Sequence, residues 1–347
     1  MRILIVKLSS LGDLFHALPT VHAVKTGFDA DIDWVVTDSY RELVSCFDDV
    51  DRVIPFPRHG TLPRLAPFLR ALRRERYDIV LDLQGLLKSA CVTWLARGKR
   101  RLGPSTHREG SHLFYTENAA PPRPAPQAPR HAVEACLDSL ALLRLRRPAT
   151  PVFPVTFPPY RLDQPRPWIA VAPASRWVTK NWPPERFAAA AGELQREHGG
   201  TILLVGGPID RPLCERIAGR VNGPVENAAG RLSLVETGGL LQAADILLSN
   251  DSGPSHIAAA AGTPCVVVFG PTDPARTGPY GTGHRNLKTA IKCAPCFKQR
   301  CRHADIPCIN GVQTYQVVEA AGRILRPEGR AGGAGRAPTA PAGADRA

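Results

Sequence analysis

Arg2-Ile3-Leu4-Ile5-Val6-Lys7-Leu8-Ser9-Ser10-Leu11-Gly12-Asp13 opens the chain, and the order of residue types in it decides the fold. Arg2 to Leu8 is a short β-rich run that reads as a buried parallel strand. A polar turn containing Gly12 follows, and a helical pattern runs from Leu14 to about Lys25. Strand, glycine turn and helix together open an α/β unit. Further along, strands are expected at 31–36, 53–55 and 77–83, with an amphipathic helix at 62–76 and helices at 85–96 and 131–143. The Pro- and Ala-rich stretch 119–130 reads as a loop.

Seven prolines fall between Pro148 and Pro167. Such a run forms neither a helix nor a central strand, so it is the linker. The alternation then restarts, with strands at 168–172, 201–207, 245–249 and 264–269. Helices are expected at 184–198, 213–221, 234–243, 255–261 and 314–325. The result is an α/β chain of two doubly wound domains, 1–155 and 156–326, facing each other across a central cleft. The last helix is free to pack back on the first domain. Residues 327–347 are mostly Gly, Ala, Arg and Pro and are expected to be disordered.

The formal net charge is +13, and the excess is uneven. Between Arg58 and Arg108 stand twelve lysines and arginines against three acids, Glu75, Asp78 and Asp82. Nucleic acid, an anionic membrane surface or a small polyanionic substrate would suit that charge. Aromatic content is only 6% and no RRM, KH or helix-turn-helix signature is present, which argues against nucleic acid. The first turn has Gly12 but no Gly-x-Gly-x-x-Gly, which argues against a nicotinamide-dependent oxidoreductase. The opening apolar run is too short for a signal peptide and is cut by Lys7, and no stretch is long enough for a membrane span. A cytoplasmic location is expected.

Four places carry chemistry. Ser9-Ser10-Leu11-Gly12-Asp13 lies beyond a strand end, where ligands bind in open sheets. Asp13 there is either a helix-capping residue or a carboxylate able to take a proton from an attacking hydroxyl. Asp251-Ser252-Gly253-Pro254-Ser255-His256 starts a helix directly after a strand, a place suited to a phosphate; the plain alternative is an N-cap with His256 as a packing residue. Ser175 to Pro183 follows the first strand of the second domain. Lys180 there is a point charge suited to phosphate, and Trp182 reads as a packing anchor. Finally, Cys293, Cys296, Cys301 and Cys308 cluster within one segment that includes His303. They suit a structural zinc, redox-active thiols or a disulfide-pinned loop. The odd total of nine cysteines argues against a disulfide framework for the whole chain.

Taken in order, five motifs resemble glycosyltransferase family 9, the ADP-heptose:lipopolysaccharide heptosyltransferases. They are Lys7-x-Ser9-Ser10-x-Gly12-Asp13 with Pro19, Asp82-x-Gln84-Gly85-x-x-Lys88-Ser89-Ala90, Lys180-x-Trp182-Pro183-x-Glu185, Asp251-Ser252-Gly253-x-x-His256 and Gly270-Pro271-Thr272-Asp273-Pro274. The first half looks most like heptosyltransferase I, while the cysteine segment is similar to loops of heptosyltransferase II. The resemblance implies a GT-B fold, two Rossmann-like domains around a cleft. It also implies an inverting transfer with Asp13 as general base and Lys180 stabilising the leaving group. Ser175, Lys180, Glu226, Asp251, Ser252, Gly253 and His256 would bind ADP-heptose. Ser9, Ser10, Gly12, Arg58 and Arg108 would bind the acceptor, Kdo-lipid A or a heptosylated inner core. No cofactor or catalytic metal is implied. The enzyme would work on the inner face of the cytoplasmic membrane as a peripheral protein.

Overall fold

A computed structural model describes residues 1–58, 62–120 and 129–326. The tail 327–347 and most of the Pro- and Ala-rich stretch 119–130 lie outside the described residues. Two parallel sheets of six strands each form the frame. The first contains β1 (Arg2–Val6), β2 (Asp31–Thr37), β3 (Arg52–Phe56), β4 (Tyr77–Asp82), β5 (Gly98–Gly103) and β6 (Glu117–Asn118). The second contains β7 (Trp168–Ala172), β8 (Thr201–Leu204), β9 (Val225–Asn227), β10 (Ile246–Asn250), β11 (Cys265–Phe269) and β12 (Arg285–Lys288). Their orders, β3-β2-β1-β4-β5-β6 and β9-β8-β7-β10-β11-β12, are the same topology used twice. In each sheet the strand order reverses between its first and fourth strands, and an open parallel sheet binds ligands beyond the carboxyl ends at that point.

The helices of the first half are α1 (Leu11–Phe28), α2 (Arg41–Val44), α3 (Leu62–Leu72), α4 (Leu87–Leu95) and α5 (Ala132–Leu137). Those of the second half are α6 (Pro184–His198), α7 (Arg211–Ala218), α8 (Leu234–Ala243), α9 (Gly253–Ala260), α10 (Pro274–Thr277), α11 (Pro307–Asn310) and α12 (Thr314–Leu325). The central strands are apolar over most of their length, and buried there, because helices cover both faces of the sheet. Leu4, Val6, Val35 and Val80 pack outward under α3 and α4, and Ile169, Val171, Leu204 and Val268 pack under α6, α7 and α12.

The inner faces behave differently. Ile3, Ile5, Phe15 and Leu18 belong to one continuous buried cluster with Leu240, Ile257 and Val267. The two halves therefore share a core through α1 against α9 and α2 against α8. Residues 148–167 form no named element beyond a bridge from Val155 to Phe47, as the prolines dictate. Among the described residues the last helix packs on the second half. α12 packs on α6 and on β10, β11 and β12, because Val317, Val318, Ala321 and Leu325 form an apolar stripe that fits the outer face of the second sheet.

Candidate active site

The loop after β1 is gripped from both neighbouring strand ends. The Leu8 and Ser9 amides donate to Gln84 Oε1 at 2.7 and 3.3 Å. On the other side, Trp34 Nε1 donates to the Lys7 carbonyl at 3.0 Å and Thr37 Oγ1 to the Leu8 carbonyl at 2.7 Å. The buried Lys7 ammonium donates to the Leu83 carbonyl at 2.7 Å. Asp82 holds the Gln84 turn in place. Its carboxylate accepts from the Gln84 and Gly85 amides and from the Tyr115 hydroxyl at 2.7, 3.0 and 2.8 Å. Complete burial still pushes the Asp82 carboxyl up despite these bonds. Gln84 and Asp82 stood in the sequence only as family markers; here they fix the shape of the loop that precedes Asp13.

Ser10 is the N-cap of α1 and Asp13 is its third residue. Asp13 Oδ2 accepts from the Ser10 amide at 2.9 Å and from the Ser10 hydroxyl at 2.7 Å. Asp13 thus serves the helix start, but as the third-residue partner of a capping box rather than as the N-cap itself. Its second oxygen, Oδ1, lies 3.6 Å from His16 Nδ1. The two oxygens of this carboxylate therefore face different partners, Oδ2 the helix start and Oδ1 His16. Burial raises the Asp13 carboxyl, but the His16 imidazole, the Lys7 ammonium and the Ser10 amide together hold it well below the usual carboxylate range.

In the second half, Lys180 Nζ meets Asp251 Oδ2 at 2.7 Å, and Thr272 Oγ1 donates to the same oxygen at 2.6 Å. The ammonium also stands 4.7 Å above the Trp177 ring centroid. Asn250 ties the two neighbouring loops together: its side chain donates to the Pro173 carbonyl at 2.7 Å and accepts from the Trp182 amide at 3.0 Å. Trp182 is buried, as expected of a packing anchor. The Ser175 amide donates to Asn181 Oδ1 at 2.7 Å. Ser252, the N-cap of α9, makes no side-chain capping bond, and the first turn of that helix carries no acid. Its positive end is thus uncompensated from within the helix. Glu226 sits on β9, two strands from β7, and pairs with Arg231 at 2.8 Å.

The two helix starts meet directly. A methyl group at Gly12 would lie 2.5 Å from His256 Cδ2, and one at Gly253 would lie 2.3 Å from a Leu11 methyl. Glycine is needed at both positions because each lets the other half approach. Gly12→Ala is expected to destabilise the protein by about 1–3 kcal/mol through overpacking, read from the midpoint of urea unfolding. An unchanged midpoint would show that the seam has room to spare.

Three histidines line this seam. His16 packs edge-on against His256 with ring centroids 4.6 Å apart, and against His131 at 5.5 Å. His131 Nε2 reaches the Gly278 carbonyl of the second half at 2.9 Å. Burial lowers both His131 and His256 below the ordinary histidine value of 6.5. The sign for stability follows directly. The unfolded chain takes up protons at these two positions below about pH 6.5 while the folded chain does not. Stability is therefore full above that pH and falls on acidification. The melting temperature should drop between pH 7.5 and 5.5, and His131→Gln should flatten that dependence.

Arg58 and Arg108 are exposed on the loops after β3 and β5, on the same carboxyl edge as Asp13. Neither forms an ion pair among the described residues. The four clustered cysteines line one cavity of about 460 Å³ together with Lys298, Arg300 and Arg302. All four are free thiols, and no group of three or more His, Cys, Asp or Glu side chains among the described residues is arranged to hold a metal ion.

Comparison with known proteins gives a consistent result. The model of glycosyltransferase family 9 (heptosyltransferase) matches residues 65–306. Lipopolysaccharide heptosyltransferase 1 of Pseudomonas aeruginosa is 34% identical over 333 residues, 87% of this chain and 88% of that protein. E. coli heptosyltransferase WaaC solved with ADP superposes with a TM-score of 0.76 at 28% identity, covering 93% of this chain and all of that one. The WaaC structure with ADP-2-deoxy-2-fluoro heptose gives 0.73 at 29% identity, with 93% and 99% coverage.

Proposed function

We propose, from the premise that this chain belongs to glycosyltransferase family 9, that it moves heptose from ADP-heptose onto the Kdo region of the lipopolysaccharide inner core with inversion. The observation that carries this reading is the meeting of the α1 and α9 starts. It sets a carboxylate from one half and a cationic, dipolar wall from the other around one seam.

In this reading the acceptor hydroxyl approaches Asp13 from the first half and gives up its proton as it attacks the anomeric carbon. The bond from that carbon to the β-phosphate breaks, and its electron pair leaves with ADP. Lys180 and the α9 amides stabilise the charge that grows on the diphosphate, the role a divalent cation fills in other transferases. For this, Lys180 turns from Asp251 to phosphate, and Asp251 turns to the heptose hydroxyls. Ser175, Ser252, Gly253 and His256 frame the diphosphate, with Glu226 toward the adenosine ribose. Ser9, Ser10 and Gly12 shape the acceptor side, and Arg58 and Arg108 meet acceptor carboxylates or phosphates. The basic excess between Arg58 and Arg108 suits an acceptor embedded in an anionic membrane; among the described residues no helix is long and apolar enough to cross one.

The test is a calorimetric panel of ADP-heptose, UDP-GlcNAc and GDP-sugars, with mass spectrometry of the product made from Kdo-lipid A. Binding of ADP-heptose and a mass gain of one heptose are expected. Binding of a uridine or guanosine donor with no response to ADP-heptose would reject the donor.

A further inference from the structure

Asp13 poses a chemical difficulty. Its Oδ2 is taken by the Ser10 amide and hydroxyl, so only Oδ1 is left to take a proton. A base with one free oxygen needs that oxygen oriented, and it needs a route by which the proton leaves before the next cycle.

The seam offers one acceptor. His16 is 4% exposed, and neither of its ring nitrogens has a hydrogen-bond partner among the described residues. A buried imidazole with both nitrogens unpaired is costly, and native structures rarely keep one without a role. Its Nδ1 stands 3.6 Å from Asp13 Oδ1, the oxygen that capping leaves unused. A small movement closes that gap to hydrogen-bond distance. Its other face is walled by the His256 and His131 rings.

We propose that His16 is a positioning residue that acts through Asp13, orienting its free oxygen and receiving the proton that Asp13 takes from the acceptor hydroxyl. This rests on the heptosyl-transfer reading above. The proton passes from the acceptor oxygen to Asp13 Oδ1 and on to His16 Nδ1. The pair left on the acceptor oxygen forms the new bond to the anomeric carbon, and the pair of the broken bond departs with ADP. The step ends with an imidazolium beside a carboxylate, a pair of opposite charges. The imidazolium returns its proton to water before the next cycle.

His16 must be neutral for this, so turnover falls on the acid side. The titratable groups that face it are Asp13 on its own helix, His131 at the start of α5 and His256 from α9.

His16→Gln keeps a hydrogen-bonding amide but has no titratable proton acceptor. It should lower kcat about a hundredfold, leave KM for the donor unchanged, and erase the acid limb of the kcat–pH profile. Added imidazole should restore part of the rate to His16→Ala. Normal kcat with the acid limb intact, or a raised KM with unchanged kcat, overturns the proposal. Should the His16 variants not fold, the native chain carries the test: a kcat that stays flat on acidification down to about pH 5 overturns the proposal. If Asp13→Asn itself turns over normally, the transfer reading fails, which is a different outcome from failure at His16 alone.

Discussion

Asp13→Asn is expected to lower turnover by about a thousandfold while leaving the dissociation constant for ADP within a factor of two. Asparagine is the informative replacement because of what the native carboxylate does twice. One oxygen caps α1 by accepting from the Ser10 amide and hydroxyl, and the other faces His16. The amide oxygen of asparagine can still accept the Ser10 bonds, so the helix start survives. It cannot accept a proton at neutral pH, so the base is lost. Alanine would remove both, and the lost cap alone costs about 1 kcal/mol. Comparing the two variants by calorimetry with ADP and by steady-state rate separates the roles. A rate within tenfold of the parent in Asp13→Asn would remove this carboxylate from the chemistry.

The second large effect is expected at Lys180. Lys180→Ala should weaken donor binding by about 10- to 100-fold, the worth of a charged hydrogen bond, and lower kcat as well because the leaving group loses its counter-charge. It also carries a structural cost that must be measured separately. Asp251 is buried, and without the ammonium its carboxylate keeps the Thr272 hydroxyl but no opposite charge. Removing one member of a buried pair costs about 3–5 kcal/mol. The double variant Lys180→Ala, Asp251→Asn should recover much of the stability and none of the donor affinity. Recovery of both would mean that Lys180 serves the fold rather than the phosphate.

The doubled strand–turn–helix plan was legible because β1, β4 and β10 are largely apolar runs followed by polar, glycine-bearing turns, and β7 is an apolar run that restarts the pattern after the prolines. The strands toward the β6, β9 and β12 edges were not, whereas the β3 edge was expected at 53–55. β5 reads Gly98-Lys99-Arg100-Arg101-Leu102-Gly103, a charged sequence that looks like surface, yet it pairs with β4 and anchors Arg100 on Glu117. β9 and β12 are short and largely polar, and their strand form is imposed by β8 and β11. The helix expected at 131–143 begins as α5 and tightens to a 3-10 turn from Asp138 to Leu143. At the site, the loops around Asp13, Lys180 and Asp251 each follow a strand end and were found from local order alone. The histidine seam was hidden: His16, His131 and His256 lie more than a hundred residues apart in turn, and only tertiary packing joins them. The same holds for Gln84, whose hold on the Leu8 and Ser9 amides no spacing rule announces.

The two helix starts that meet at Gly12 and Gly253 differ in one respect: α1 carries its own acid in the first turn and α9 carries none. The crevice therefore has a built-in direction, repelling anions on one wall and drawing them to the other. A molecule with one charged end and one neutral end fits between such walls in a single sense. Head-to-tail discrimination of that kind needs only one carboxylate and one open helix end, before any other group reads the shape of a sugar.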